Sequence, residues 1–94
     1  MKYAIEQLEQ YASIMSRDKM TKKVAYDLRQ GAKRLEFKDS KYKYSFEVLS
    51  YLCYLKNNIK NGLKSFNSGN SLEIERRQKK RLKDVEEAIS FIKQ

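Results

Sequence analysis

The sequence contains no histidine, no proline and no tryptophan, and it has one cysteine and three glycines among its 94 residues. Without histidine, the chain cannot build a Ser-His-Asp triad or any acid–base pair that depends on imidazole. With Cys53 as its sole thiol, it cannot form an intrachain disulfide or a structural zinc site made of Cys and His ligands. We therefore expect a protein that is not an enzyme, with no catalytic residues, no metal and no cofactor.

Long apolar runs and phosphate-binding glycine loops are also lacking. The densest apolar stretch, residues 44–55, is much shorter than the roughly 20 residues that a membrane-spanning helix needs. The glycines lie too far apart for the glycine motifs of nucleotide-binding proteins, and polar residues near Met1 interrupt the apolar core of a secretory signal. These absences predict a cytoplasmic protein with no membrane span, and the single cysteine fits a reducing compartment.

Positive charge is in excess, with 21 Lys and Arg against 12 Asp and Glu and a formal net charge of +9. The hydrophobic content of 40% is too high for a wholly disordered chain. The length predicts one domain, residues 1–94. A domain of this size buries roughly 60–65% of the surface of its unfolded chain, so its core is thin and self-association would help to stabilise it.

Apolar residues recur at steps of three and four in four segments, and this periodicity predicts four helices, at residues 2–17, 19–36, 45–66 and 71–93. The predicted core stripes are Ile5, Leu8, Ala12 and Met15; Met20, Val24, Leu28, Gly31 and Leu35; Val48, Leu52, Leu55, Ile59, Gly62 and Phe66; and Leu82, Val85, Ile89 and Ile92. Four helices with short connections predict an all-α, antiparallel bundle.

Residues 35–48 are ambiguous because apolar and polar side chains alternate there with a period of two, which is typical of a strand. The pattern predicts either a short β-hairpin or a loop over residues 38–43 that leads into the third helix. We favour the loop, because an isolated two-stranded hairpin is marginal in water.

Two other positions bear on helix geometry. Gly31 lies inside the second stripe, where it indicates either a close helix crossing or a kink. Asn70 is followed three residues later by Glu73, which resembles a capping box at the start of the last helix.

Basic residues on the second and last helices form the candidate nucleic-acid-binding site. Arg76, Lys80 and Lys83 are spaced by four and three residues, so they share one face, roughly opposite the apolar stripe. Long cations on one face can contact a phosphate backbone, and the release of counterions makes such binding salt-dependent. The candidate residues are Arg76, Arg77, Lys79, Lys80, Arg81 and Lys83 on the last helix, and Lys22, Lys23, Arg29 and Lys33 on the second.

The basic run on the last helix can also be interpreted as a solvent-exposed face whose cations form ion pairs with carboxylates of the same helix. Four opposite-charge pairs lie four residues apart: Glu73 and Arg77, Glu75 and Lys79, Lys80 and Asp84, and Lys83 and Glu87. Each such pair stabilises a helix by roughly 0.2–0.5 kcal/mol. If these pairs form, they reduce the potential that the run presents to a polyanion.

Lysine and tyrosine alternate in the segment Lys41, Tyr42, Lys43 and Tyr44. Exposed aromatic rings can stack on unpaired bases while neighbouring lysines contact phosphates. The alternative is that these tyrosines cap the core at the junction between loop and helix.

The first half of the third helix is apolar nearly all round. Phe46, Cys53 and Tyr54 lie outside its core stripe and predict an interface with a protein partner or with a second copy of the chain. A small, basic four-helix bundle of this kind is similar in size and layout to bacteriocin immunity proteins. This resemblance implies a protein-binding role.

Two functions follow as hypotheses. The charge favours a non-catalytic module that binds nucleic acid or a nucleic-acid–protein complex, as a regulator or inhibitor of the kind that phages and mobile elements encode. The alternative is a protein-interaction module. Contact with an anionic membrane surface ranks last, because the outer face of the last helix lacks the apolar side chains of interfacial helices.

Overall fold

The computed structural model describes residues 1–64 and 72–93, and these residues form four α-helices and no strand. The helices are α1 (Lys2–Met15), α2 (Lys22–Phe37), α3 (Phe46–Lys64) and α4 (Leu72–Lys93), with a one-turn 3-10 helix at Lys19–Thr21. α1 packs mainly on α2 and α3 mainly on α4, and the two pairs form the bundle. The prediction of a small all-α bundle is confirmed, whereas Phe66 and the predicted Asn70 cap lie outside the described residues.

The core lies between the two helix pairs, and each helix contributes one apolar face to it. Its buried apolar side chains are Ala4, Leu8, Ala12, Ala25, Leu28, Ala32, Leu35, Val48, Leu52, Leu55, Ile59, Val85, Ala88, Ile89 and Ile92. The α1 and α2 positions include four alanines, whose small side chains let the two helix backbones approach closely. Branched residues on α3 and α4 fill the remaining space.

The start of α2 differs from the prediction. Met20, which was expected in the core stripe, is 90% exposed. It lies in the 3-10 turn, because the Asp18 carboxylate accepts a hydrogen bond from the Met20 backbone N–H at 2.9 Å and caps this turn. α2 therefore begins at Lys22, and Ala25 and Ala32 are buried on its core face.

Residues 38–45 form the loop between α2 and α3, and no β-hairpin occurs there. α2 ends when Lys38 adopts the left-handed conformation, with φ 51° and ψ 43°. The Val48 N–H donates to the Ser45 carbonyl at 3.1 Å as α3 begins. The predicted loop that leads directly into the third helix is confirmed.

Gly31 marks a close crossing of α2 and α3. A Cβ atom at this position would lie 2.6 Å from Val48 Cγ1 and 2.8 Å from Val48 Cγ2, so the side chain of Val48 occupies that space. Gly62 differs, because it is exposed and a Cβ there would have no neighbour within 4 Å among residues 1–64 and 72–93. Packing thus requires glycine at position 31, whereas the described residues set no such requirement at position 62.

Candidate functional site

The basic run of α4 faces solvent along most of its length. Residues 72–83 include no buried side chain, and Arg76, Arg77, Lys79, Lys80 and Lys83 are all exposed. Arg81 is half-buried, with its guanidinium carbon 4.9 Å from the centre of the Tyr3 ring. The rest of the fold therefore leaves Arg76, Lys80 and Lys83 accessible; we call these three residues the α4 lane.

Fewer ion pairs form within α4 than the spacing of its charged residues predicts. Lys79 Nζ lies 3.2 Å from Glu75 Oε1, so that pair forms. Within residues 1–64 and 72–93, however, Arg76, Lys80 and Lys83 make no ion pair. The predicted pairs of Lys80 with Asp84 and of Lys83 with Glu87 are thus absent there, and no carboxylate directly contacts the cations of the lane.

Asp84 explains why Lys80 lacks its expected partner. The Asp84 carboxylate accepts hydrogen bonds from the backbone N–H of Tyr3 at 3.2 Å and of Ala4 at 3.0 Å, and it lies 3.4 Å from the amino group of Met1. These N–H groups have no partner within α1 because they belong to its first turn. A carboxylate there is also favoured by the helix dipole, so Asp84 binds α1 rather than Lys80.

The packing of the bundle adds cations on both sides of the lane. Lys79 and Lys83 line a groove of about 550 Å³ together with Lys38 and with the carboxylates of Glu86 and Glu87. Lys80 and Arg81 line a second groove, of about 360 Å³, with Lys2, Glu6 and Asp84. Each groove therefore has more lysine and arginine side chains than carboxylates in its lining. Lys38 and Lys2 were not among the predicted residues, because only the tertiary fold brings the end of α2 and the start of α1 beside α4.

The predicted cations of α2 are also open to solvent. Lys22, Lys23, Arg29 and Lys33 are all exposed, and none of them lines either of the two grooves that border the α4 lane. Hydrogen bonds from Ser45 and from the Glu47 backbone lower the pKa of the Glu47 carboxyl at the start of α3, and the positive charge of Lys23 lowers it further. Lys23 thus has an acidic neighbour.

Arg34 is a cation that sequence reasoning missed, and it organises the loop after α2. Although charged, it is only 9% exposed. Its Nη1 donates to the carbonyl oxygens of Ser40 and Tyr42, both at 3.0 Å, and its guanidinium carbon lies 5.2 Å from the centre of the Tyr44 ring. No local pattern distinguishes Arg34 from the solvated cations around it, because its partners come from the loop that folds over it.

The predicted protein interface is divided between two environments. Phe46, 78% exposed, and Tyr54, 58% exposed, line a groove of about 590 Å³. Cys53 is half-buried, packs against the core and does not line this groove. We call the groove lined by Phe46 and Tyr54 the aromatic groove. Its lining residues are Tyr11, Val24, Phe46, Glu47, Ser50, Tyr51 and Tyr54.

Stacked tyrosines form the floor of the aromatic groove. The rings of Tyr11 and Tyr51 are 4.4 Å apart at an interplanar angle of 27°, and the Tyr54 ring is 6.3 Å from that of Tyr51. Burial raises the pKa of Tyr51, and the neighbouring hydroxyls of Tyr3, Tyr11 and Tyr54 raise it further. The Tyr51 hydroxyl is therefore uncharged at neutral pH.

In the described ranges, no group of three His, Cys, Asp or Glu side chains is arranged to hold a metal ion. No helix in those ranges is long and apolar enough to cross a membrane. The chain matches no protein-family model, and no curated protein or solved structure is significantly similar to it.

Proposed function

We propose that this protein is a non-catalytic module that binds nucleic acid, either alone or within a nucleoprotein complex, through the α4 lane. The observation that carries the proposal is the exposure of Arg76, Lys80 and Lys83 on one face without a carboxylate partner among the described residues. Uncompensated cations attract phosphates and release their condensed counterions, which makes association favourable.

The dimensions of the lane suit a phosphate backbone. At 1.5 Å per residue, Arg76 and Lys83 are separated by about 10 Å along the helix axis. Neighbouring phosphates of a DNA strand are roughly 3.4 Å apart along the duplex axis and farther apart along the winding backbone, so a lane of this length can contact about two or three of them. Arg76 can bind one phosphate through two N–H groups, whereas the lysines act as point charges.

A small module that binds in this way would act by occupying a nucleic acid or a nucleoprotein complex. We accordingly propose an accessory role in the cytoplasm, as a regulator or inhibitor of the type that phages and mobile elements encode. The lane and the flanking Lys2 and Lys38 would supply affinity without sequence readout, because phosphate contacts carry no base information.

The test is a fluorescence-anisotropy titration of labelled DNA and RNA between about 50 and 200 mM salt. Contacts to three duplex phosphates predict a slope of log K against log salt of about −2.7, and Lys80→Ala should reduce its magnitude by about 0.9. Lys93→Ala, an exposed cation at the far end of α4, is the matched control and should leave the slope unchanged. Absence of binding at low salt, or binding that is indifferent to salt, would rule the proposal out.

The aromatic groove favours a second candidate function, a protein-interaction module. Phe46 and Tyr54 are lining residues of this groove that expose large apolar surfaces, and such surfaces are typical of protein interfaces. A side chain from a partner, or from a second copy of this chain, could insert between them. Tyr54→Glu should abolish that association and leave the monomer folded. A wild-type protein that is monomeric by light scattering, with partner capture unaffected by Tyr54→Glu, would contradict this alternative.

A further inference from the structure

A groove between α2 and the loop of residues 38–45 combines aromatic rings, cations and polar side chains; we call it the loop groove. Its volume is about 350 Å³, which falls within the usual range of small-ligand sites. It is lined by Tyr26, Asp27, Gln30, Lys41, Lys43, Tyr44 and Ser45.

The wall that the loop provides is held in place by hydrogen bonds. Arg34 donates to the Ser40 and Tyr42 carbonyls from its buried position on α2. A hydrogen bond within the loop adds to this, because the Asp39 carboxylate accepts from the Lys41 backbone N–H at 3.0 Å. A site whose backbone is fixed before binding loses less conformational entropy when a ligand arrives.

Two tyrosine rings of the groove are open to solvent. Tyr26 on α2 is 61% exposed and Tyr44 in the loop is 38% exposed. Within the described residues neither ring stacks on another aromatic side chain, whereas Tyr42 packs against Phe37. One side of the Tyr44 ring contacts the Arg34 guanidinium. Tyr26 and Tyr44 are therefore available as stacking surfaces for a planar ligand.

Cations lie beside these rings. Lys43 makes no ion pair among the described residues. Lys41 makes an exposed contact to Asp39, at 3.8 Å, and its Nζ lies 5.2 Å from the centre of the Tyr42 ring. Along α2, Tyr26 shares its outer face with Lys22, Arg29 and Lys33, since these positions are spaced by four and three residues. The face thus presents an aromatic ring between cations, which is the combination found in proteins that bind single strands.

We propose that the loop groove binds an unpaired nucleotide, with its base stacked on Tyr26 or Tyr44 and its flanking phosphates near Lys43 and the α2 cations. Asp27 and Gln30 line the same groove, where a carboxylate can accept from a base amino group and an amide can both donate and accept. This inference rests on the proposed nucleic-acid binding and adds that the preferred ligand is single-stranded.

The experiment compares a labelled single-stranded oligonucleotide with a duplex of the same sequence, using the full chain and its Tyr26→Ala variant. Because one base–aromatic stack contributes substantially to affinity, Tyr26→Ala should weaken single-strand binding by roughly tenfold and leave duplex binding unchanged. Phe46→Ala removes another exposed ring, outside the loop groove, and should affect neither ligand. Lys43→Ala should reduce the salt slope for the single strand by about 0.7.

The outcomes separate this inference from the proposed function. If the wild-type protein binds neither oligonucleotide, the proposed function fails and the inference with it. If it binds both but Tyr26→Ala and Lys43→Ala retain wild-type single-strand affinity and salt slope, the inference alone is overturned. Equal losses for single strand and duplex would likewise overturn it, because the groove would then contribute only general charge.

Discussion

The Asp84 carboxylate of α4 caps the first turn of α1 by accepting a hydrogen bond from the Ala4 backbone N–H at 3.0 Å. The two residues lie 80 positions apart in the sequence, so the cap joins the first helix of the bundle to the last. The contact stabilises α1, and it also directs the carboxylate to the N–H groups of α1, so that Asp84 makes no direct ion pair with Lys80 although both line one groove. One side chain thus links the folding of the bundle to the charge of the α4 lane.

Removal of this cap should destabilise the protein. We expect Asp84→Ala to lower the free energy of unfolding by about 1–2 kcal/mol, because two N–H groups of α1 lose their acceptor. Asp84→Asn keeps one acceptor oxygen and should lose less. Urea unfolding followed by circular dichroism measures both. Glu87→Ala, an exposed change on the same helix, should stay within about 0.5 kcal/mol of wild type, and an equally mild effect of Asp84→Ala would argue against the cap.

The two helical glycines should respond in opposite directions to the same substitution. Gly31→Ala forces a methyl group against Val48 and should cost about 1–2 kcal/mol, since overpacking outweighs the gain in helix propensity. Gly62→Ala places its methyl group within 4 Å of no atom in the described part of the chain and should stabilise the protein by about 0.5–1 kcal/mol.

A double-mutant cycle tests whether Val48 is the cause. In a Val48→Ala background, the cost of Gly31→Ala should largely disappear, because the methyl groups that it meets are gone. If Gly31→Ala stabilises the protein as much as Gly62→Ala does, the crossing of α2 and α3 is not tight.

The spacing of apolar residues predicted the four helices, but it did not predict every core position. Val48, Leu52, Leu55 and Ile59 were predicted from their spacing and are buried, because a heptad stripe has one face to bury. Met20 was misplaced because the Asp18 cap, rather than the apolar period, decides where α2 begins. The hairpin alternative at residues 35–48 had the right alternation but lacked other strands to pair with.

The sequence predicted which cations of the candidate site are exposed, but it did not predict the contacts that these cations and their neighbours make. The exposure of Arg76, Lys80 and Lys83 followed from the helix period. The loss of the Lys80–Asp84 pair did not, because the competing N–H groups of α1 are distant in sequence. Arg34 was likewise overlooked, since its burial depends on a loop folding back over α2.

Arg34 should be the residue that holds the loop of residues 38–45 closed. Arg34→Ala leaves the Ser40 and Tyr42 carbonyls without their donor and should cost about 1–3 kcal/mol. Limited trypsin digestion should then cleave faster after Lys41 and Lys43. Arg34→Lys keeps the charge but not the planar fork, so an intermediate rate is expected. Unchanged cleavage after both lysines in Arg34→Ala would show that the loop is held by other contacts.

Alkaline pH should weaken the fold through Tyr51. Burial raises the pKa of its hydroxyl above the ordinary value of 10.0, so above that pH the unfolded chain loses this proton while the folded chain retains it. The contribution of Tyr51 to stability is therefore constant below about pH 10 and declines as the pH rises from there through the folded-state pKa. Tyr51→Phe has no hydroxyl to ionise and should show a shallower decline in the free energy of unfolding, measured by urea titration at a series of alkaline pH values. An identical decline in wild type and Tyr51→Phe would mean that the stacked tyrosines remain accessible to water in the folded protein, and the aromatic groove would then be more open than its packing indicates.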